Sequence, residues 1–309
     1  MPLSLEQAIA RVPQWAGAKE LKTTPLGGGI TNQNFRVDVD GASYVLRICG
    51  ADTKLLGIRR EAEYVANLAA GQLGIAPQVF YRIQPESYLV TRFVNGRPVP
   101  PEEMVKPENI RRVADALKKF HALPLQIPAT FSPFRRVEHL TEVSRRYNVA
   151  FPSNFDWLME RMREVEAAFR TDPFIPCPCH DDLLNGNFLA EGPLQGNDGQ
   201  IRILDWEYAG MGDPYFDLAN FSSHHRFDDD QARFLLECYF GQPTPRQFAR
   251  LQLMRPMSEM HEAMWGTTQI GLSKLDFDFR GYADLWFGRA TVAIHDPRWG
   301  DWLKEITHG

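Results

Sequence analysis

Along roughly the first ninety positions, apolar and polar residues alternate in short runs; beyond them the apolar positions recur at helical spacing. The first run, 21–26, leads into Gly27-Gly28-Gly29, and a second β-like run covers 34–39. Asp40-Gly41 then turns the chain into a third run, 43–49, with Tyr44-Val45-Leu46-Arg47-Ile48 at its centre. An Asp-Gly pair between two β-rich runs predicts a tight hairpin, because both turn positions favour positive φ. A helix is predicted over 56–72, where Ala62, Val65, Leu68 and Ala69 fall at helical spacing and Gly74 and Pro77 end it. Strands over 79–83 and 88–93 follow, and Asn95-Gly96-Arg97-Pro98 breaks the pattern.

Beyond that break the spacing predicts helices at roughly 107–122, 138–149, 155–170, 229–240, 245–271 and 279–294. Between them lies a β-containing piece, 177–208, with short strands at 187–190 and 200–204 joined by a turn over 192–199. The expectation is an α+β chain of two lobes: a small β-rich N-lobe over 1–94 and a larger, mainly helical C-lobe over 95–309 that contains the short hairpin. No internal repeat or low-complexity segment is visible.

The sharpest chemical signal is His180-Asp181-Asp182-Leu183-Leu184-Asn185-Gly186-Asn187, which matches H-x-D-x-x-x-x-N. Phosphoryl transfer asks little covalent chemistry of a protein: a carboxylate to orient the attacking hydroxyl, and ligands for the metal on the nucleotide. Asp182, with His180 in the same loop, suits the first task, and Asn187 suits the second. A polar loop capping a strand is the plainer alternative. It weakens because Ile201-Arg202-Ile203-Leu204 delivers Asp205 at the end of an apolar strand, followed by Trp206-Glu207. That is where a kinase places its second metal-binding carboxylate.

The N-terminal half supplies a nucleotide side. Backbone amides of the loop Gly27 to Asn32, including Gly28, Gly29 and Thr31, can approach phosphates without side-chain interference. The triplet reads as well as a plain turn, and neither a Walker A loop nor a dinucleotide fingerprint is present. Arg47 lies mid-strand among apolar neighbours, as a phosphate-binding cation would, and Glu61 lies early on the next helix as its expected pairing carboxylate. The strand ending at Arg92 and Phe93 is where adenine is expected, at the hinge.

Composition narrows the partners. The 309 residues are 44% hydrophobic and 24% charged, as in ordinary globular proteins. The formal net charge is −5 and no Lys/Arg block exceeds two residues, which argues against nucleic acid. The N-terminus lacks a signal-peptide pattern, and no stretch approaches the ~18 apolar residues of a membrane span. Four cysteines form no disulfide framework, and Cys177-Pro178-Cys179 without a second pair reads as reduced thiols rather than a zinc clip. A cytoplasmic location is expected. The C-terminal half is rich in aromatics, read either as helix-packing core or as faces for a cationic ligand.

These residues together resemble the choline/ethanolamine kinase branch of the aminoglycoside-phosphotransferase-like kinases, a protein-kinase-like fold. The resemblance runs from about Leu26 to Phe287. Gly28-Gly29-Ile30-Thr31-Asn32 resembles the nucleotide loop of that branch, and Val45-Leu46-Arg47-Ile48 its strand. His180 to Asn187 resembles the catalytic loop, Asp205 to Ala209 the metal strand, and Asp217-Leu218-Ala219-Asn220 lies just beyond. Trp265, Gln269, Ser273, Phe277, Phe279 and Tyr282 fall at the spacing of the choline-pocket helices. The resemblance implies ATP and Mg²⁺ as cofactors, Asn187 and Asp205 as metal ligands, and Tyr208, Trp265 and Tyr282 around a cationic head with Glu207 nearby. Two positions depart from the branch: Glu262 stands where a tryptophan is usual, and His224 where a glutamate is usual. Glu262 is the expected source of the missing negative charge.

The implied acceptor is a small amino alcohol such as choline or ethanolamine. An aminoglycoside or thiamine is the alternative, with a non-catalytic binding protein behind it. A homodimer is left open.

Overall fold

The computed structural model describes residues 3–27, 32–50, 53, 55–194 and 199–308. Helix α1 (Leu5–Ala10), absent from the sequence reading, is closed by a capping box between Ser4 and Gln7. Strands β1 (Leu21–Leu26), β2 (Asn32–Val39) and β3 (Ala42–Cys49) follow. Asp40 and Gly41, joining β2 to β3, take φ of 46° and 83°, so the predicted turn forms. After α2 (Arg60–Gln72) come β4 (Val79–Ile83), β5 (Tyr88–Arg92) and β6 (Arg97–Pro98). The predicted helix started too early, since Gly57 sits at φ 72°, outside any helix.

The first five strands make one antiparallel sheet in the order β1-β2-β3-β5-β4. Alternation gives it two faces. Tyr44, Leu46, Ile48 and Val90 face a core that also holds Ala8 and Trp15. Arg47 lies on the other face.

Strand β7 (Cys177–Cys179) precedes a hairpin of β8 (Phe188–Glu191) and β9 (Gln200–Ile203). The hairpin pairs with β6, and the Ile203 amide donates to the Ile75 carbonyl at 2.8 Å. A Cβ on Gly96 would lie 2.8 Å from the Ala190 carbonyl, so this approach requires glycine. The chain accordingly divides into one unit of Met1–Pro98 with Phe188–Tyr208 and a second of Val99–Asn187 with Ala209–Gly309. The expected boundary at 94/95 moves to Pro98/Val99, and the hairpin expected in the C-lobe groups with the first unit, because β6 carries its partner edge.

The second unit is helical: α3 (Pro101–Met104), α4 (Pro107–His121), α5 (Pro133–Arg146), α6 (Phe155–Thr171), α7 (Pro214–His224), α8 (Asp229–Phe240), α9 (Pro245–Leu272), α10 (Phe279–Ile294) and α11 (Trp299–His308). Strand β10 (Gly210–Gly212) pairs antiparallel with β7, Gly210 opposite Cys179. Helix α9 is buried on nearly every side and forms the spine against α5, α7, α10 and α11. Its start follows the local rules: Pro245 in the first turn and a capping box between Thr244 and Gln247. Helix α5 begins five residues before the predicted 138, because Ser132-Pro133 supplies a cap and a first-turn proline. No helix among the described residues is long and apolar enough to cross a membrane.

Candidate active site

In the second unit β7 runs directly into the segment His180 to Asn187, and α7 fixes that segment from below. Asp217, one turn into α7 and fully buried, accepts the backbone N–H of His180 (2.8 Å) and of Asp181 (2.7 Å). The same carboxylate meets His121 Nε2 at 2.9 Å, while His121 Nδ1 contacts the Tyr239 hydroxyl at 2.7 Å. One turn on, Asn220 Oδ1 accepts the Leu183 amide. The loop thus hangs on two side chains of one helix face, at i and i+3.

His180 is fully buried, and its Nδ1 accepts the Asp182 amide at 3.1 Å. Expected as a catalytic residue, it instead holds the loop's backbone. Asp182 is partly exposed. Asn187 Nδ2 donates to the Asp182 carbonyl at 2.9 Å and approaches its carboxylate at 3.4 Å, so the amide spans the loop and fixes the aspartate. Asp181 takes φ 67° and is buried; that burial, reinforced by the Asp217 carboxylate, pushes its pKa well up.

The same unit brings together three of the residues expected at the acceptor, Glu262, Trp265 and Tyr282. Tyr282 on α10 donates its hydroxyl to Glu262 Oε2 at 2.7 Å. Asn220 Nδ2 and His224 Nε2 each lie 3.4 Å from Oε1, and His261 Nδ1 lies 3.5 Å from it. Burial alone would raise the Glu262 pKa, but His224 and then His261 hold it well below the usual carboxylate range. Around this carboxylate the rings stand tilted or edge-on. Trp265 lies 5.6 Å from Tyr282 and 6.0 Å from Phe279, and Tyr282 lies 6.1 Å from Trp286.

The first unit carries the other cluster. Arg47 pairs with Asp205 (2.7 Å) and with Glu63 (2.7 Å). Arg60 pairs with Glu63 (2.7 Å) and Glu207 (3.2 Å) and donates to Asn32 Oδ1 (3.2 Å). Asn32 Nδ2 donates to Glu207 at 2.9 Å. Burial would weaken the positive charge of Arg47, but Asp205, Glu63 and Glu207 outweigh it and raise its pKa. Burial, then the Asp205 charge, pushes the Glu207 carboxyl up to about 7.

Several expectations change here. The partner of Arg47 is Glu63, not Glu61; Glu61 is exposed and pairs with Arg82 at 2.6 Å. The buried face of α2 is Ala62, Glu63, Ala66, Asn67 and Ala70, whereas Leu68 is exposed. Small residues mark the packed side, and reading Leu68 as core rotated the helix. Arg92 stands opposite Tyr44, on the face away from Arg47, and donates to the Tyr44 hydroxyl at 3.0 Å. It is therefore not on the nucleotide face. Phe93 continues the alternation on the Arg47 side, with the Arg36 guanidinium 4.4 Å over its ring. Glu207, expected near the acceptor, is buried and bound to Arg60 and Asn32. Asn32 is likewise committed to that network. Tyr208 ends the first unit, partly exposed. Gly28, Gly29 and Thr31 lie outside the described residues.

The sequence reading assigned no role to Glu63, Arg60, His121, Asp217 or Asn220. For the last two a signal existed, since polar residues three apart on a helix following the loop share one face.

The chain as a whole is similar to known proteins. Residues 22–251 match the family described as phosphotransferase enzyme family. A solved structure of a choline/ethanolamine kinase family protein from Mesorhizobium loti is similar, with TM-score 0.82 and 29% identity over 97% of each chain. Protein LicA of Haemophilus influenzae is 26% identical over 237 residues, 76% of this chain and 67% of that protein. Ethanolamine kinase 2 of Rattus norvegicus is 25% identical over 311 residues, 90% of this chain and 77% of that protein. The likeness bears out the α+β kinase-like fold, and with a family match that spans well over half its length the chain belongs to the phosphotransferase enzyme family.

Proposed function

We propose that the protein transfers the γ-phosphoryl group of ATP to the hydroxyl of a small amino alcohol, choline or ethanolamine. The observation that carries this reading is Asn220: it ties the Asp182 loop, through the Leu183 amide, to the Glu262 carboxylate that holds the Tyr282 hydroxyl, with the Trp265 ring 5.6 Å from that of Tyr282. The Asp182 loop and a buried carboxylate flanked by aromatic rings are thus one connected piece of the second unit. Ring faces and a nearby negative charge suit an ammonium head. The names of the similar proteins fit the same acceptors.

Asp182 accepts the hydroxyl proton, or orients the hydroxyl, as its oxygen attacks phosphorus. Asn187 and His180 hold it in place. Arg47, oriented by Glu63, is the phosphate-binding cation of the first unit. The residues present fit Mg²⁺: the Asn187 amide nitrogen is engaged by the Asp182 carbonyl, which leaves Oδ1 as a hard oxygen donor, and Asp205 supplies carboxylate oxygens. Bound there, Mg²⁺ neutralises phosphate charge. The four cysteines are free, which fits a cytoplasmic enzyme.

An aminoglycoside acceptor calls for several free carboxylates. The acidic run Asp228-Asp229-Asp230 is committed elsewhere: Asp228 caps α8 in a capping box with Gln231, and Asp229 pairs with Arg298. ADP release with ATP, Mg²⁺ and choline, ethanolamine, thiamine or an aminoglycoside tests the reading. Turnover confined to the amino alcohols supports it; turnover confined to the aminoglycoside or thiamine overturns it.

A further inference from the structure

Glu262 stands in the acceptor pocket, yet its surroundings leave it little to offer an acceptor. It is only 5% exposed. A carboxylate has about four acceptor positions, and four neighbours face this one. Tyr282 occupies Oε2, while Asn220, His224 and His261 gather around Oε1. The four neighbours come from three helices. Tyr282 is on α10, Asn220 and His224 are at successive turns of α7, and His261 precedes Glu262 on α9. Asn220 has its other amide atom on the catalytic loop, where Oδ1 accepts the Leu183 N–H next to Asp182.

We propose that Glu262 is a positioning residue: through Asn220 it holds the Tyr282 ring in fixed register with the Asp182 loop, and it does not itself meet the acceptor's charge. This rests on the amino-alcohol reading above and refines it. The ammonium head is read by ring faces, chiefly Trp265 and Tyr282, which remain partly exposed. The carboxylate sets where the Tyr282 face stands relative to the attacking hydroxyl. His224, edge-on to Trp286 at 4.7 Å, sets its Nε2 3.4 Å from the same carboxylate and closes it off on the α7 side. A pocket built this way selects for shape and cation–π contact, so it has no fixed salt bridge to demand an N–H donor.

The test uses Glu262→Gln in the full-length enzyme, with two acceptors. One is the better of choline and ethanolamine, and the other is its uncharged isostere, in which carbon replaces nitrogen. Glutamine keeps one oxygen for Tyr282 but turns an NH₂ toward Asn220 and His224, so the strap breaks on the loop side. The expected loss in kcat/KM is about tenfold or more, equal for the two acceptors within about twofold, with kcat falling as well as KM rising. A loss seen with the charged acceptor and absent with its isostere would overturn the proposal, because it means direct charge recognition. So would a change confined to KM. Tyr282→Phe breaks the strap from the pocket side and serves where Glu262→Gln does not fold. It should give the same acceptor-independent loss, and the double variant should be no worse than about twofold beyond the poorer single one. Multiplying losses overturn the idea. Failure of the amino-alcohol reading is seen separately, as wild-type enzyme that phosphorylates neither acceptor.

Discussion

Replacing Glu63 and Glu61 in turn by glutamine separates two phases of helix α2 that differ by two residues. Glu63 is 1% exposed and bonds two guanidinium groups at 2.7 Å, those of Arg47 and Arg60. Removing one partner from a buried, hydrogen-bonded ion cluster costs about 3–5 kcal/mol, because the remaining charges stay desolvated. At about 2 °C per kcal/mol for a chain of this size, Tm should fall by roughly 6–10 °C. Glu61 is 58% exposed and bonded to Arg82. An exposed pair contributes about 0–1 kcal/mol, so Glu61→Gln should move Tm by no more than about 2 °C. Calorimetry reads both. The Michaelis constant for ATP gives a second reading. Arg47 freed from Glu63 collapses toward Asp205, so Glu63→Gln should raise that constant by about tenfold, on the scale of one charge-assisted bond, while Glu61→Gln leaves it within about twofold. Equal effects of the two substitutions, or a larger one at Glu61, would refute the pairing.

Three further outcomes follow from the second unit. Asp217→Asn weakens both backbone contacts to His180 and Asp181 and the bond to His121, so kcat should drop by about a hundredfold and Tm should fall by several degrees; unchanged kcat in a folded variant would contradict its role. Burial raises the Asp181 pKa above that of an unfolded aspartate, so the folded protein keeps a proton that the unfolded chain releases. Stability from this group is full in acid and is lost as pH rises toward the folded pKa. Asp181→Asn, which also suits φ 67°, should gain Tm over wild type progressively as pH rises above the range of an unfolded aspartate, about 4; a gap that is flat or shrinks with pH would count against it. Trp265→Ala should weaken choline by about tenfold or more in kcat/KM and an aminoglycoside hardly at all, measured side by side; the reverse order would point to the other acceptor.

Legibility in the sequence tracked local chemistry. The β2–β3 hairpin was readable because Asp40-Gly41 sets its own turn, and the bounds of α8, α9 and α10 were readable because capping residues stand at their starts. Helix α7 was missed for the opposite reason. Tyr215 to Ser223 are buried all round, so no solvent-facing polar stripe marks its period, and its polar residues Asp217 and Asn220 bond the loop instead. The face of Arg92 and the phase of α2 were misjudged because strand and helix phase depend on packing partners that sequence spacing does not name. The lobe boundary moved for a topological reason, the pairing of β6 with a strand about ninety residues away. In the site, the loop motif was legible by residue type and spacing, whereas its support was not. Asp217 and His121 are 96 residues apart and meet only in the fold.

Direct detection of the phosphorylated amino alcohol, by phosphorus NMR or mass spectrometry, tests the central claim most directly. Wild-type protein and Asp182→Ala would be compared with ATP, Mg²⁺ and choline or ethanolamine, with nucleotide binding measured on both. Wild type should form the phosphomonoester, and the variant should lose about a thousandfold or more in rate while still binding nucleotide. Near-normal product from Asp182→Ala, or nucleotide binding by wild type with no phosphomonoester formed, would contradict it.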